Sequence, residues 1–423
     1  MRESRRGLLC GLLVLAASAA RVRAADAGVP AVSFDEAVRR AVENNHDVAR
    51  AATAILSAEG LLGKARAVTL PEVETFATES LIDEERVFGT IVAQPHDQLV
   101  VGATVSVRVL AASQWAAKAH AADQVEIAKL EAADIRRQVS VATAQTYLAV
   151  IAARRQVEVD ERARDNAQAQ YDHARTRFEG GAGSRLDALR AADVLATDEV
   201  LVERSRLVHT LTREGLGVLM AADGPVDAAA EPLFEVPAED AGDLSLRTDL
   251  RLLTAQREAA DRVLRDSWKD WVPEVVASFA PLYVDPASTF EESSTWRAVL
   301  AARFPIYLGG ERPADRKLRQ AALESAAIDL DQAELRARAE VRSAREAIAA
   351  AERGLAQARV AAGHAAEVLS ITETAFRAGA RTNIELVDGQ RRARDADTAV
   401  GRAEDLLRQA KLELLVALGW FGG

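Results

Sequence analysis

The sequence predicts a mainly α-helical chain built from two related halves, in which long paired helices join short runs of β-strand. Three observations carry this: a stretch without proline or glycine that outruns any ordinary globular helix, segments that alternate apolar and polar residues, and a set of motifs that occurs twice. Composition agrees. Apolar residues make up 49% of the chain and charged residues 28%, which excludes a mainly disordered polypeptide. Aromatics are only 4% while alanine is abundant, favouring close-packed helices over a sandwich of bulky side chains. The formal net charge of −11 argues against binding phosphate backbones, and so against nucleic acid as a partner.

Residues 1–24 read as a signal peptide. Arg2, Arg5 and Arg6 form a positive head, Leu8, Leu9, Leu12, Leu13, Val14 and Leu15 an apolar stretch, and Val22-Arg23-Ala24 a small-residue cleavage site. The run from Gly7 to Ala20 is too short to span a bilayer. Residues 1–24 hold five Arg and one Glu, so their removal takes the net charge from −11 to −15. They also hold Cys10, the chain's one cysteine, with too little apolar sequence before it for a lipoprotein cleavage site. The exported chain is then free of disulfides and of Cys zinc ligands.

The prolines at 95 and 225, and the one at 313, bound two proline-free regions. In the first, the 69 residues from Ala111 to Glu179 also lack glycine, and as one helix would measure about 100 Å. In the second, Val341, Ala344, Ile348, Ala351, Leu355, Ala358, Ala362, Ala365, Leu369, Thr372 and Phe376 follow alternating steps of three and four. That is a coiled-coil seam in which small residues permit close helix approach. A soluble coiled coil satisfies the same pattern.

Two segments switch to a period of two. Leu99, Val101, Ala103, Val105, Val107 and Val109 alternate with Val100, Gly102, Thr104, Ser106 and Arg108. Trp296, Ala298, Leu300, Ala302, Phe304 and Ile306 alternate with Arg297, Val299, Ala301, Arg303 and Pro305. Each has the length and one-sided apolarity of a strand in a membrane barrel, although half-buried strands of a soluble sheet look alike. Glu72–Leu81 and Glu274–Val284 are weaker strand candidates.

An internal repeat orders these elements. Pro71-Glu72-Val73 returns as Pro273-Glu274-Val275, an offset of 202. Phe178, Gly181, Ala182, Ser184, Leu186, Asp187 and Leu189 return as Phe376, Gly379, Ala380, Thr382, Ile384, Glu385 and Val387, an offset of 198. Residues 25–222 and 245–423 therefore each read helix, strand, loop, strand, long helix, glycine turn, long helix, with an acidic linker at 223–244. At each turn, Gly181 or Gly379 ends one helix in the left-handed conformation and Ser184 or Thr382 caps the next. Asp187 and Glu385 then complement the positive helix end. The result is a helical hairpin tip, twice per chain.

The duplicated strand starts (Leu70-Pro71-Glu72-Val73, Val272-Pro273-Glu274-Val275), the paired glycine turns, Pro305-Ile306-Tyr307-Leu308-Gly309-Gly310, and Leu414-Leu415-Val416-Ala417-Leu418-Gly419 resemble TolC-type outer-membrane efflux factors. The resemblance covers nearly all of the chain after residue 24. It implies a homotrimer in the outer membrane of a Gram-negative bacterium. Four strands per chain, twelve per trimer, would form a β-barrel continued by an α-barrel of antiparallel coiled-coil helices in the periplasm, with 223–244 in its equatorial region. A lone sheet of four strands falls below the eight-strand minimum and keeps open edges, so the stoichiometry makes physical sense. The resemblance also implies a periplasmic adaptor, an inner-membrane pump and contact with outer-membrane lipid.

By the same resemblance the hairpin tips close the periplasmic end. Glu385 and Asp388 occupy positions of carboxylates that ring the constriction, and Arg381 links to the first tip around Leu186 and Asp187. Phe178, Gly181, Ser184, Phe376, Gly379 and Thr382 shape the tips and their adaptor contact. The chain departs from one family pattern in having Phe376 in place of a tyrosine. Capping and a solvated helix face would account for the polar residues as well.

Enzymatic chemistry finds no support. The histidines at 46, 96, 120, 173, 209 and 364 show no metal-ligand spacing, no nucleotide-binding glycine motif occurs, and no cofactor is expected. The expected function is an efflux or type I secretion channel exporting small toxic compounds. Metal-ion efflux or protein secretion by the same fold is one alternative, and a soluble periplasmic coiled-coil adaptor or scaffold another.

Overall fold

The computed structural model describes residues 28–236, 244–288, 292–378 and 380–421, so the predicted signal peptide and Gly379 lie outside the described residues. The chain divides into two compact units. The first draws on the described residues up to Ala49, on Ile135–Leu246 and on the chain from Ala337; the second comprises Arg50–Asp134 and Arg247–Arg336.

In chain order the elements are β1 (Ala31–Val32), α1 (Phe34–Asn44), α2 (His46–Ala67), β2 (Glu72–Leu81), β3 (Arg86–Phe88), β4 (Ile91–Gln94) and β5 (Asp97–Leu110). There follow α3 (Ala112–Glu179), α4 (Arg185–Leu219), β6 (Asp227–Ala228), α5 (Thr248–Arg265), β7 (Glu274–Asp285), β8 (Ser294–Arg303), α6 (Glu311–Arg377) and α7 (Asn383–Ala417). Helix–strand–strand–helix–helix thus occurs twice, as the repeat requires. The rod expected from Ala111 to Glu179 is one 68-residue helix, and its counterpart α6 has 67 residues.

In the first unit all eleven seam positions of α6 from Val341 to Phe376 are buried or half-buried. Val341 and Ala344 pack with Leu414, Ala417 and Leu418 at the far end of α7, and near the tip a side chain at Gly389 would touch Leu369. The two helices therefore run antiparallel as a hairpin. Helices α3 and α4 form a second, tied by Glu161 and Arg206 at 2.7 Å. A separate core gathers Val32, Ala37, Ala41, Tyr147, Val150, Leu216 and Ala228. Tyr147 is fully buried, and its hydroxyl lies 2.9 Å from the Ala230 carbonyl and 3.1 Å from that of Val32. It thereby pins the parallel pair β1–β6. The stretch expected as a linker at 223–244 thus contributes β6 and the core residues Val226 and Ala228, while 237–243 lie outside the described residues.

Beside this core, Arg213 and the Ala228 N–H hold the Asp227 carboxyl below its usual range, although burial alone would raise it. Burial, with Arg213 close by, pushes His209 down.

The second unit holds the antiparallel sheet, ordered β2-β5-β7-β8. Each half supplies one hairpin, and β5–β7 joins them. The register assigns the faces, because cross-strand partners point the same way. One face carries Val73, Val101, Val105, Ala277, Phe279, Trp296 and Leu300, with the carboxylates Glu79, Asp97 and Asp285 confined to the end away from the long helices. The other carries Glu72, Glu74, Arg108, Glu274, Arg297 and Arg303, and Arg108 lies 3.5 Å from Glu274. A bulge displaces Val109 where β5 ends. Around the end that joins the helices, Trp115, Trp268, Trp271, Phe304 and Tyr307 are exposed, the residue type and place of an interfacial aromatic girdle.

Two expectations needed adjustment. The loop between the first two long strands contains the small antiparallel pair β3–β4, turned at Gly89 with φ +67°; strands of three and four residues are too short to display a period. The last long strand stops at Arg303, so Phe304 and Ile306 fall beyond it.

On the charged face Phe76 lies across Gly102, where an added Cβ would come within 2.5 Å of the ring and 3.1 Å of Leu282. Gly102→Val should therefore cost about 1–3 kcal/mol through overpacking, and much less when Phe76→Ala has vacated the space; thermal unfolding of both variants in detergent checks this. The lowered His209 gives a second expectation. The unfolded chain protonates this histidine near its usual value of about 6.5 while the folded chain does not, so stability should fall as pH drops below that value. Melting temperatures across mildly acidic pH should flatten in His209→Gln.

Candidate gate at the hairpin tips

Both tips are built by local backbone chemistry. Helix α3 ends in a Schellman turn: the Ala182 N–H donates to the Arg177 carbonyl at 2.9 Å and the Gly181 N–H to Phe178 at 3.0 Å. Gly181 has φ +74°, a conformation that only glycine adopts at no steric cost. Gly183 is needed for space, since a Cβ there would lie 2.9 Å from the Phe178 nitrogen. Ser184 then caps α4 by accepting from the Leu186 N–H at 3.1 Å, and Asp187 occupies the first turn.

The second tip repeats the plan at the offset of 198. The Ala380 N–H donates to the Ala375 carbonyl at 2.9 Å, and Thr382 caps α7. Here Glu385 completes a capping box, accepting from the Thr382 N–H at 2.9 Å while its own N–H donates to the Thr382 hydroxyl at 3.4 Å. Arg381 donates to the same carboxylate at 2.6 Å. The Thr382 N–H, then Arg381, hold the Glu385 carboxyl below its usual range.

The expected partner of Arg381 was the Asp187 region. Within the chain Arg381, which precedes the N-cap Thr382, pairs instead with Glu385 four residues on. Asp388 is likewise matched on its own helix by Arg392, at 2.9 Å. Asp187 makes no ion pair among the described residues. It lines, with Arg381, Thr382, Ser184 and Phe376, a cleft of about 700 Å³ between the two tips. Leu186, Ile384 and Phe178 are exposed.

Away from the tips, polar ties join the first hairpin to α7. Gln170 donates to Gln390, and Arg394 meets Asp198 at 2.8 Å. Further along, Arg155 donates to Asp405 at 2.7 Å, Arg408 donates to it at 2.9 Å, and Glu231 bridges both arginines. Burial raises the Asp405 carboxyl, the two arginines working against that effect. None of these ties was anticipated. The available signal was Asp198 itself: buried Ala191, Val202, Ser205 and Leu216 share one seam of α4, and Asp198 is a charge placed on that seam.

The duplicated architecture has counterparts. The profile of the outer membrane efflux protein family matches residues 37–207 and 244–420. The chain belongs to this family. It is an outer-membrane efflux channel protein and not an enzyme, so the soluble-scaffold alternative falls. The fold resembles the Campylobacter jejuni CmeC outer membrane channel, with TM-score 0.81 and 15% identity over 92% of this chain and 86% of that one. It also resembles the outer membrane protein VceC of Vibrio cholerae, with TM-score 0.77 and 17% identity over 91% and 96% of the two chains. The open state of the Neisseria gonorrhoeae MtrE outer membrane channel gives TM-score 0.78 and 16% identity over 91% and 88%. No curated protein sequence matches the chain significantly.

The buried Asp198 sets one expectation. Arg394→Leu strands that carboxylate and should cost about 2 kcal/mol, against about 1 kcal/mol for Ser184→Ala, which removes only a cap. Comparing the two melting temperatures tests the order.

Proposed function

We propose that the chain is the outer-membrane subunit of a tripartite efflux or type I secretion system, working as a homotrimer with a periplasmic adaptor and an inner-membrane pump to export small toxic compounds from a Gram-negative cell. The observation that carries this reading is the sheet of the second unit. Its four strands present one apolar face and one charged face and keep two open edges. Hydrocarbon tolerates no unsatisfied edge, and barrels need at least about eight strands, so closure requires further copies. Three copies would give twelve strands, apolar side outward to lipid and charged side toward a water-filled lumen. The 68 residues of α3, rising about 100 Å as a helix, far exceed a bilayer core and suit a duct that continues beyond it.

In this reading Glu385, Asp388, Arg381, Asp187 and Leu186 form the periplasmic gate. Phe178, Gly181, Ser184, Phe376, Gly379 and Thr382 shape the tips that the adaptor meets. Three copies each of Glu385 and Asp388 would concentrate negative charge at a narrow mouth, favouring cations. Arg381, sharing the carboxylate of Glu385, offsets part of that charge and orders the tip. Phe376 lines the cleft without a hydroxyl, so no phenol at this position joins a latch between the tips.

Planar-bilayer recording of the purified protein tests this. Arg381→Ser should raise conductance, and unchanged conductance removes Arg381 from the gate. Glu385→Gln with Asp388→Asn should lower cation selectivity. Because Glu385 titrates below the usual range of about 4.3, its share of the selectivity should persist as pH falls from about 7 to about 5. A deletion strain challenged with drugs, dyes and metal salts, and assayed for secreted proteins, identifies the cargo class.

A further inference from the structure

The two outer edges of the four-stranded sheet carry opposite charge. Strand β2 contributes Glu72, Glu74 and Glu79 and no cation; β8 contributes Arg297 and Arg303 and no carboxylate. All five are exposed, and none makes an ion pair within the chain among the described residues. The interior strands differ: β5 holds both Asp97 and Arg108, and β7 is tied to it by Glu274 and Arg108.

Four of the five edge charges share a face. Arg303 is the direct cross-strand partner of Glu274, which meets Arg108; Glu72 is the partner of Ser106, on the same side as Arg108. Glu74 lies two residues after Glu72 and Arg297 six residues before Arg303, so both keep that side. This is the face turned from the apolar one, where charges stay in water. Glu79 lies on the other face, near the strand end.

Strand direction then selects the contact. Successive strands are antiparallel, so β8 runs opposite to β2. The helix end of β2 is its first residue, after α2, and the helix end of β8 is its last, before α6. Setting β8 of one copy antiparallel to β2 of another therefore brings the helix ends to the same side. An antiparallel β2–β2 contact would send the helices in opposite directions and face carboxylates with carboxylates; β8–β8 would oppose arginines.

In the shared barrel the β8 edge of one copy meets the β2 edge of the next; we propose that at this junction Glu72 and Glu74 of one copy and Arg297 and Arg303 of the other form an ion-paired seam that favours this contact over β2–β2 or β8–β8 contacts. The occupant of each edge is thus a second copy of this chain, recognised by charge as well as by backbone hydrogen bonds. The inference rests on the shared-barrel reading given above.

Charge exchange tests it without presupposing the register. Sedimentation of the full chain in detergent should show E72K/E74K and R297E/R303E each moving most of the protein from assembled to monomeric, while the four changes together restore assembly. Circular dichroism checks that the helices persist. Should the reversals unfold the chain, the neutral pairs E72Q/E74Q and R297Q/R303Q replace them: each should raise the monomer fraction several-fold, and combining them should add nothing further. Either reversal assembling like the parent, a folded combination that stays monomeric, or additive neutral pairs overturns the seam. A parent protein that is monomeric throughout instead overturns the shared barrel.

Discussion

Backbone amides and carbonyls in hydrocarbon have no water to turn to. In this chain that constraint falls on a sheet whose inner strands, β5 and β7, have a partner on both sides and whose outer strands, β2 and β8, each pair on one side only. The charge pattern obeys the same logic. Within the paired strands the apolar face carries charge only at the end away from the long helices, as Glu79, Asp97 and Asp285, and every other charge of those strands is on the opposite face. A half-buried soluble sheet alternates in the same way but covers its apolar side; here Val73, Val101, Phe279, Trp296 and Leu300 on that side are exposed within the chain.

The helical unit answers a different requirement. Alanine-rich seams let helices approach closely but offer little area per contact, so orientation has to come from elsewhere. It comes from side chains that span helices: Tyr147 between two carbonyls of separate segments, Asp198 with Arg394, and Asp405 between two arginines. Tyr147 ties the first long helix to β1 and to the segment after β6, the two aspartates fix how one hairpin sits on the other, and the seam residues mainly exclude water. The turns at the tips need no such help, being specified by the Schellman bonds and the caps within a dozen residues of sequence.

That division explains what could be read before the structure. The long helix ending at Glu179, the α6 seam from Val341 to Phe376, the strand from Glu72 to Leu81 and the caps at Ser184 and Thr382 all express local rules, periodicity or capping, and stand where the sequence places them. Arg394 lies 196 residues after Asp198 and Arg155 lies 250 residues before Asp405, and no spacing announces either link. β1 and β6 are two residues each and exist only because they pair. For Arg381 a remote partner was expected from resemblance, and within the chain its guanidinium pairs with Glu385, four residues on. Gly183 was passed over because it follows two other glycines, yet it is the one that the chain crowds most closely at that turn.

The tie between Asp198 and Arg394 also records a broken symmetry. At the repeat offset of 198, the position matching Asp198 is Ala396 and the one matching Arg394 is Ala196, so the duplicated hairpins preserve only one of two equivalent links. If hairpins from several chains stand in a ring, neighbours belonging to one polypeptide are fastened and neighbours from different polypeptides lack that fastening. Duplication supplied near-identical staves; divergence decided which joints between them could part.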